Sequence, residues 1–107
     1  MSGLDDTSYT VVTTTATSYT LTNTDYVLLV SPTAGSATIN LPAVASVQPG
    51  RPYWVKRDAT ATNTVTLDAF GSETINGSTT RAVGAAGTAG GVHLVSDGTA
   101  WHVLASY

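Results

Sequence analysis

The sequence has 107 residues, a formal charge of −3 and no cysteine, and only 10% of its residues are charged, against ~25% in an average soluble domain. That length suits one domain with a modest core. The absence of cysteine excludes a disulfide framework and a thiolate metal site, and the basic residues Arg51, Lys56, Arg57 and Arg81 form no stripe that could track nucleic acid.

The opening Met1-Ser2-Gly3-Leu4-Asp5-Asp6 has neither the basic nor the apolar region of a secretory signal. No apolar run approaches the ~20 residues of a membrane helix. The expectation is synthesis in a bacterial cytoplasm, with no membrane partner. Residues 1–17 read as a polar, Thr-rich arm for docking or strand exchange, and 18–107 as a single β domain.

Helical spacing of apolar residues is absent and period-two alternation recurs throughout. Ser8–Thr14 and Ser18–Thr22 are Thr-rich candidate strands. Asp25–Ser31 is apolar on both faces, with Tyr26, Leu28 and Val30 on one and Val27 and Leu29 on the other, which predicts a central strand covered on both sides. Ser36–Leu41 turns Ala37, Ile39 and Leu41 inward, and Pro42 ends it. After a loop closed by the turn dipeptide Pro49-Gly50, Arg51–Asp58 sets Tyr53 and Val55 against Trp54 and Lys56 on the opposite face. Asn63–Ala69 directs Val65 and Leu67 inward, Asn76-Gly77 marks a tight turn, and the Gly/Ala tract Val83–Gly91 reads as a loop or irregular edge. Asp97-Gly98 favours a two-residue hairpin turn that pairs Leu94 with Trp101 and His93 with His102. Eight or nine short strands of this kind predict a small all-β fold, an antiparallel sandwich or barrel of jelly-roll type.

Little in the sequence points to catalysis. Most of the carboxylates fall at strand ends or turns, Asp25 as a strand-entry cap and Asp97 as a turn residue, and no nucleophile–base signature accompanies them. The glycine tract lacks the Gly-Lys-Ser/Thr ending of a phosphate loop. No cofactor is implied. His93 and His102, opposed across the hairpin, could share a metal, but Zn²⁺ takes three or four ligands and no third lies close in sequence. Trp54, beside Lys56 on the face away from Tyr53, reads either as an interface anchor or sugar-stacking platform, or as a residue buried within the monomer. Scarce charge and the doubly apolar strand predict association with further copies. Tyr9, Val27, Leu29, Trp54 and Lys56 are the candidate contact residues.

These segments together carry a likeness. Tyr19-Thr20-Leu21, Asp25-Tyr26-Val27-Leu28-Leu29-Val30, Ala37-Thr38-Ile39-Asn40-Leu41-Pro42 and Gly50-Arg51-Pro52-Tyr53-Trp54-Val55-Lys56 come first. Asn63-Thr64-Val65-Thr66-Leu67-Asp68, Glu73-Thr74-Ile75-Asn76-Gly77 and Val92-His93-Leu94-Val95-Ser96-Asp97-Gly98-Thr99-Ala100-Trp101 follow in the same order. Over roughly Tyr19 to Tyr107 the chain resembles a β-rich module of bacteriophage and prophage tail-fibre and virion-surface proteins. The resemblance implies a non-enzymatic homotrimer on the virion surface. A short chain of this type fits a capsid decoration (cement) protein or head spike, with the major capsid protein or another virion protein as partner. The alternative it implies is a tail-fibre or adsorption module that binds a host surface glycan.

Overall fold

The computed structural model describes residues 10–58, 63–85 and 87–107. Among these, nine strands follow one another: β1 (Thr10–Thr14), β2 (Ser18–Thr20), β3 (Asp25–Val30), β4 (Ala37–Asn40), β5 (Pro52–Arg57), β6 (Val65–Asp68), β7 (Thr80–Ala82), β8 (Gly90–Ser96) and β9 (Trp101–Ser106). A single 3₁₀ turn, Val44–Ser46, interrupts the β4–β5 connection. Two mixed sheets result, a five-stranded one in the order β9-β8-β5-β3-β1 and a four-stranded one in the order β2-β4-β6-β7.

The chain alternates between these sheets. Strands β1, β3 and β5 fall in the larger sheet and β2, β4 and β6 in the smaller, so each pass lays one strand in each layer. Strands of successive passes therefore run in the same direction, and β1–β3, β3–β5, β2–β4 and β4–β6 are parallel. Among the described strands, β5–β8, β8–β9 and β6–β7 are the antiparallel pairs. The all-β expectation holds, but the antiparallel pairing expected from the sequence does not extend to these four pairs. A strand must leave for the other layer before it returns, and no tight hairpin can form on that route.

Alternation decides what is buried. Leu28, Val30, Tyr53, Val55, Val92, Leu94 and Trp101 from the larger sheet share one core with Ala37, Ile39, Val65 and Leu67 from the smaller. Trp101 and Tyr53, both fully buried, meet edge to face with centroids 5.6 Å apart, an arrangement suited to aromatic quadrupoles. Arg57 is buried too, and donates from Nε to the Thr88 carbonyl at 3.0 Å and from Nη2 to the Asn63 carbonyl at 2.6 Å. It thereby ties two loops to the end of β5.

Three local expectations are revised. Thr10–Thr14, placed within the arm by the sequence, pairs with β3 in its own chain; residues 1–9 lie outside the described residues. The Gly tract ends inside β8, and Thr80–Ala82 forms a strand too short to show a pattern. In the last hairpin Trp101 opposes Ser96, His102 opposes Val95 and Val103 opposes Leu94, around a four-residue loop. The Asp97 carboxylate selects that loop by accepting from the Thr99 and Ala100 amides at 2.8 and 2.9 Å. Relative to the two-residue turn the register slips by two positions as far as Val103, which preserves each side chain's face there, and a bulge between Val103 and Ala105 shifts it by one more. The apolar set of Val92, Leu94 and Trp101 therefore stays together in the core. The Asn76-Gly77 turn is as expected, with φ of 50° and 87° and the Ile75–Ser78 bridge closing it.

Candidate interaction surface

The outward face of the five-stranded sheet is built from the positions between the core residues. Cross-strand pairing aligns Val11, Val27, Trp54 and His93 in one row, and Thr13, Leu29, Lys56 and Gly91 in the next. Among the described residues of these rows, Lys56 is the single Lys, Arg, Asp or Glu. Val27, Leu29, Trp54 and His93 are half-buried, whereas Val11 keeps 65% of its surface exposed.

Two local devices shape this face. A bulge pairs Thr10 with Asp25 and Val11 with Val27, leaving Tyr26 as the extra residue. Such an insertion re-aims side chains. Asp25 turns in, where its carboxylate accepts from the Tyr19 hydroxyl at 2.9 Å and the Thr22 amide at 3.0 Å. Burial, and then this hydrogen bond, raise the Tyr19 hydroxyl pKa above its ordinary value. Tyr26 comes to the outer side. At the other margin the Tyr107 ring lies over Gly91, where a β-carbon would sit 3.0 Å from the ring. Reciprocal backbone bonds between Gly91 and Tyr107 hold it there.

Tyr26, Val27, Leu29, Trp54, Lys56 and Tyr107 thus enclose a shallow depression of about 320 Å³. One face of the Trp54 indole is covered by the His93 imidazole, with centroids 4.1 Å apart and planes 5° from parallel. His93 Nε2 is buried without a hydrogen-bond partner among the described residues. The candidates Val27, Leu29, Trp54 and Lys56 are accordingly brought together on one surface. Tyr9 lies outside the described residues. Tyr26 and Tyr107 were not singled out from the sequence, because a bulge and a contact over Gly91 leave no mark on period-two alternation.

The strand expected to be covered on both sides is covered by the second sheet on one only. Leu28 and Val30 enter the core, while Val27 and Leu29 face outward. Nor are the two histidines cross-strand partners. His93 opposes Ala105 and His102 opposes Val95, and His102 Nε2 lies 2.7 Å from the Asp97 carboxylate. The Ala100 and Thr99 amides, with His102 behind them, lower the Asp97 pKa to about 2. Among the described residues no group of three or more His, Cys, Asp or Glu is placed to hold a metal.

The outward face of the four-stranded sheet is different in kind. Its rows are Ser18, Thr38, Thr66 and Ala82, then Thr20, Asn40, Asp68 and Thr80. Among the described residues, no helix is long and apolar enough to cross a membrane. Compared with known proteins, the sequence matches no family model and no curated protein.

Proposed function

We propose that this chain is a non-catalytic structural protein of a bacteriophage particle, displayed on the virion surface as a homotrimer. In this reading the outer face of the five-stranded sheet is the subunit contact. The observation that carries it is that face itself: aligned Val11, Val27, Leu29 and Trp54 with Tyr107 and one cation, open on a small domain. Five strands spaced ~4.8 Å apart and about six residues rising ~3.3 Å each give a flat footprint of roughly 24 by 20 Å. Side-chain relief brings that towards the ~800 Å² per partner of a standard interface. Copies of this chain are the occupants that suit it: around a three-fold axis each such face meets both neighbours, and the exposed Lys56 can lay its stem along the apolar surface while its ammonium stays in water.

The virion setting draws its support from the resemblance carried by the ordered segments between Tyr19 and Tyr107. Within it, a capsid decoration or head-spike role binds the major capsid protein or another virion protein. Sedimentation of the full chain across concentrations, followed by co-sedimentation with shells lacking it, tests both parts. A trimer that decorates shells is expected. A monodisperse monomer overturns the association, and attachment to host cells but not to shells replaces decoration with adsorption.

A further inference from the structure

On the opposite side of the molecule, we infer that a cleft at the end of the four-stranded sheet binds a saccharide, with Phe70 as the stacking surface and Asp68, Asn40 and Thr20 as the hydroxyl-binding row. This site shares no residue with the proposed subunit contact and does not depend on it.

The row comes from strand register. Thr20, Asn40 and Asp68 are successive cross-strand partners on β2, β4 and β6, so their side chains leave the same face side by side. Just beyond β6 the chain turns through Phe70 and Gly71, with the Glu73 amide donating to the Phe70 carbonyl at 3.0 Å. That turn leaves the Phe70 ring 58% exposed. The ring lies at the rim of the cleft, where its exposed part is free to take the apolar face of a ligand. Pro42, Ala43 and Ser46 also line the cleft, and their segment is fixed to the Phe70 turn because the Val44 amide donates to Glu73 Oε1 at 3.1 Å. The cleft between them has a volume of about 530 Å³, within the ~300–1,000 Å³ of small-ligand sites.

Chemistry selects the ligand. The Asp68 carboxylate is half-buried, and no described residue donates a hydrogen bond to it. As an ionised carboxylate it only accepts, so it calls for a ligand that donates. The Asn40 amide can donate and accept, and among the described residues its side-chain hydrogen bond is a long 3.5 Å donation from Nδ2 to Thr20 Oγ1. No Lys, Arg or His lines the cleft, which disfavours phosphates and carboxylates. A flat apolar ring beside an acceptor, an amide and a hydroxyl fits a neutral pyranose. The sugar's C–H face covers Phe70, and adjacent hydroxyls bond Asp68 and Asn40.

A printed array of neutral mono- and oligosaccharides, probed with the full chain and followed by calorimetry on any hit, tests this. Binding to at least one neutral pyranose is expected. Phe70→Ala and Asp68→Asn should each weaken it at least tenfold, with unchanged thermal melts, because neither side chain holds the core. Gln48→Ala, an exposed loop position outside the cleft, should leave the affinity of the hit within twofold. The inference is overturned by an array without hits, by hits that survive both cleft substitutions, or by an equal loss on Gln48→Ala. A trimer that binds no sugar removes the cleft while leaving the subunit contact standing.

Discussion

The two outward faces obey the same alternation and differ in almost everything else. On the five-stranded sheet the outward positions are Val11, Val27, Leu29, Trp54 and His93; on the four-stranded sheet they are Ser18, Thr38, Thr66, Asn40 and Asp68. The inward positions of both are mainly apolar, aliphatic on the smaller sheet and aliphatic with Tyr53 and Trp101 on the larger. The fold is specified by the inner set and tolerates either outer set, so the outer sets record what each face meets. One is suited to exclusion of water by a second apolar surface, the other to hydrogen bonds with something hydroxylated.

The largest expected effect comes from placing a charge on the first face. Val27→Glu should abolish self-association at micromolar concentration in sedimentation equilibrium, because an unpaired carboxylate would have to be desolvated. Thr38→Glu, the same charge on the other sheet, should leave it intact. Equal loss from both would erase the distinction between the faces. Next is the neighbour of Val27 that points the other way. Leu28→Ala removes a fully buried side chain and should cost about 3 kcal/mol in urea denaturation, with Thr66→Ala within about 0.5 kcal/mol of the parent.

A smaller effect sharpens the comparison further. The His93 ring covers one face of the Trp54 indole. His93→Ala should therefore weaken association several-fold in the same sedimentation experiment, by freeing that indole to leave its place in the contact. The smallest effect is expected at Asp97, away from both faces. Its folded pKa of about 2 lies below the ordinary 3.8, so its contribution is complete above the unfolded pKa and is lost as pH falls through the folded one. Asp97→Asn should lower the melting temperature by a few degrees at neutral pH, and the gap should close near about pH 2.

Alternation made much of this legible. It set Tyr53 and Val55 on the face opposite Trp54 and Lys56, leaving open whether Trp54 is an outer anchor or buried, and it oriented Ala37, Ile39, Val65 and Leu67 correctly. It could not reveal partners, because a strand's two faces look alike whether its neighbour is parallel or antiparallel. The winding between sheets was hidden for that reason. The hairpin loop was misread because Asp97 side-chain bonds outweighed the dipeptide preference for a two-residue turn. Gly90 and Gly91 resembled a loop because glycine is uncommon in strands, yet a β-carbon at Gly90 would lie 2.8 Å from the Tyr107 carbonyl oxygen. For the candidate surface, Val27, Leu29, Trp54 and Lys56 were readable as one-sided positions. Phe70 was not, although a lone aromatic followed by glycine between a strand and a turn is a signal that could have found it.

Parallel winding also fixes the order in which the chain can be assembled. Its parallel partners are separated by roughly 15 to 30 residues, a non-local pattern that slows folding because loop entropy is lost before any pairing compensates it. Among the described strands, the tightly looped antiparallel hairpin is β8–β9, a local pairing that costs little loop entropy. That hairpin is therefore the expected fast element, onto which β5 docks before the long-range parallel pairs close behind it.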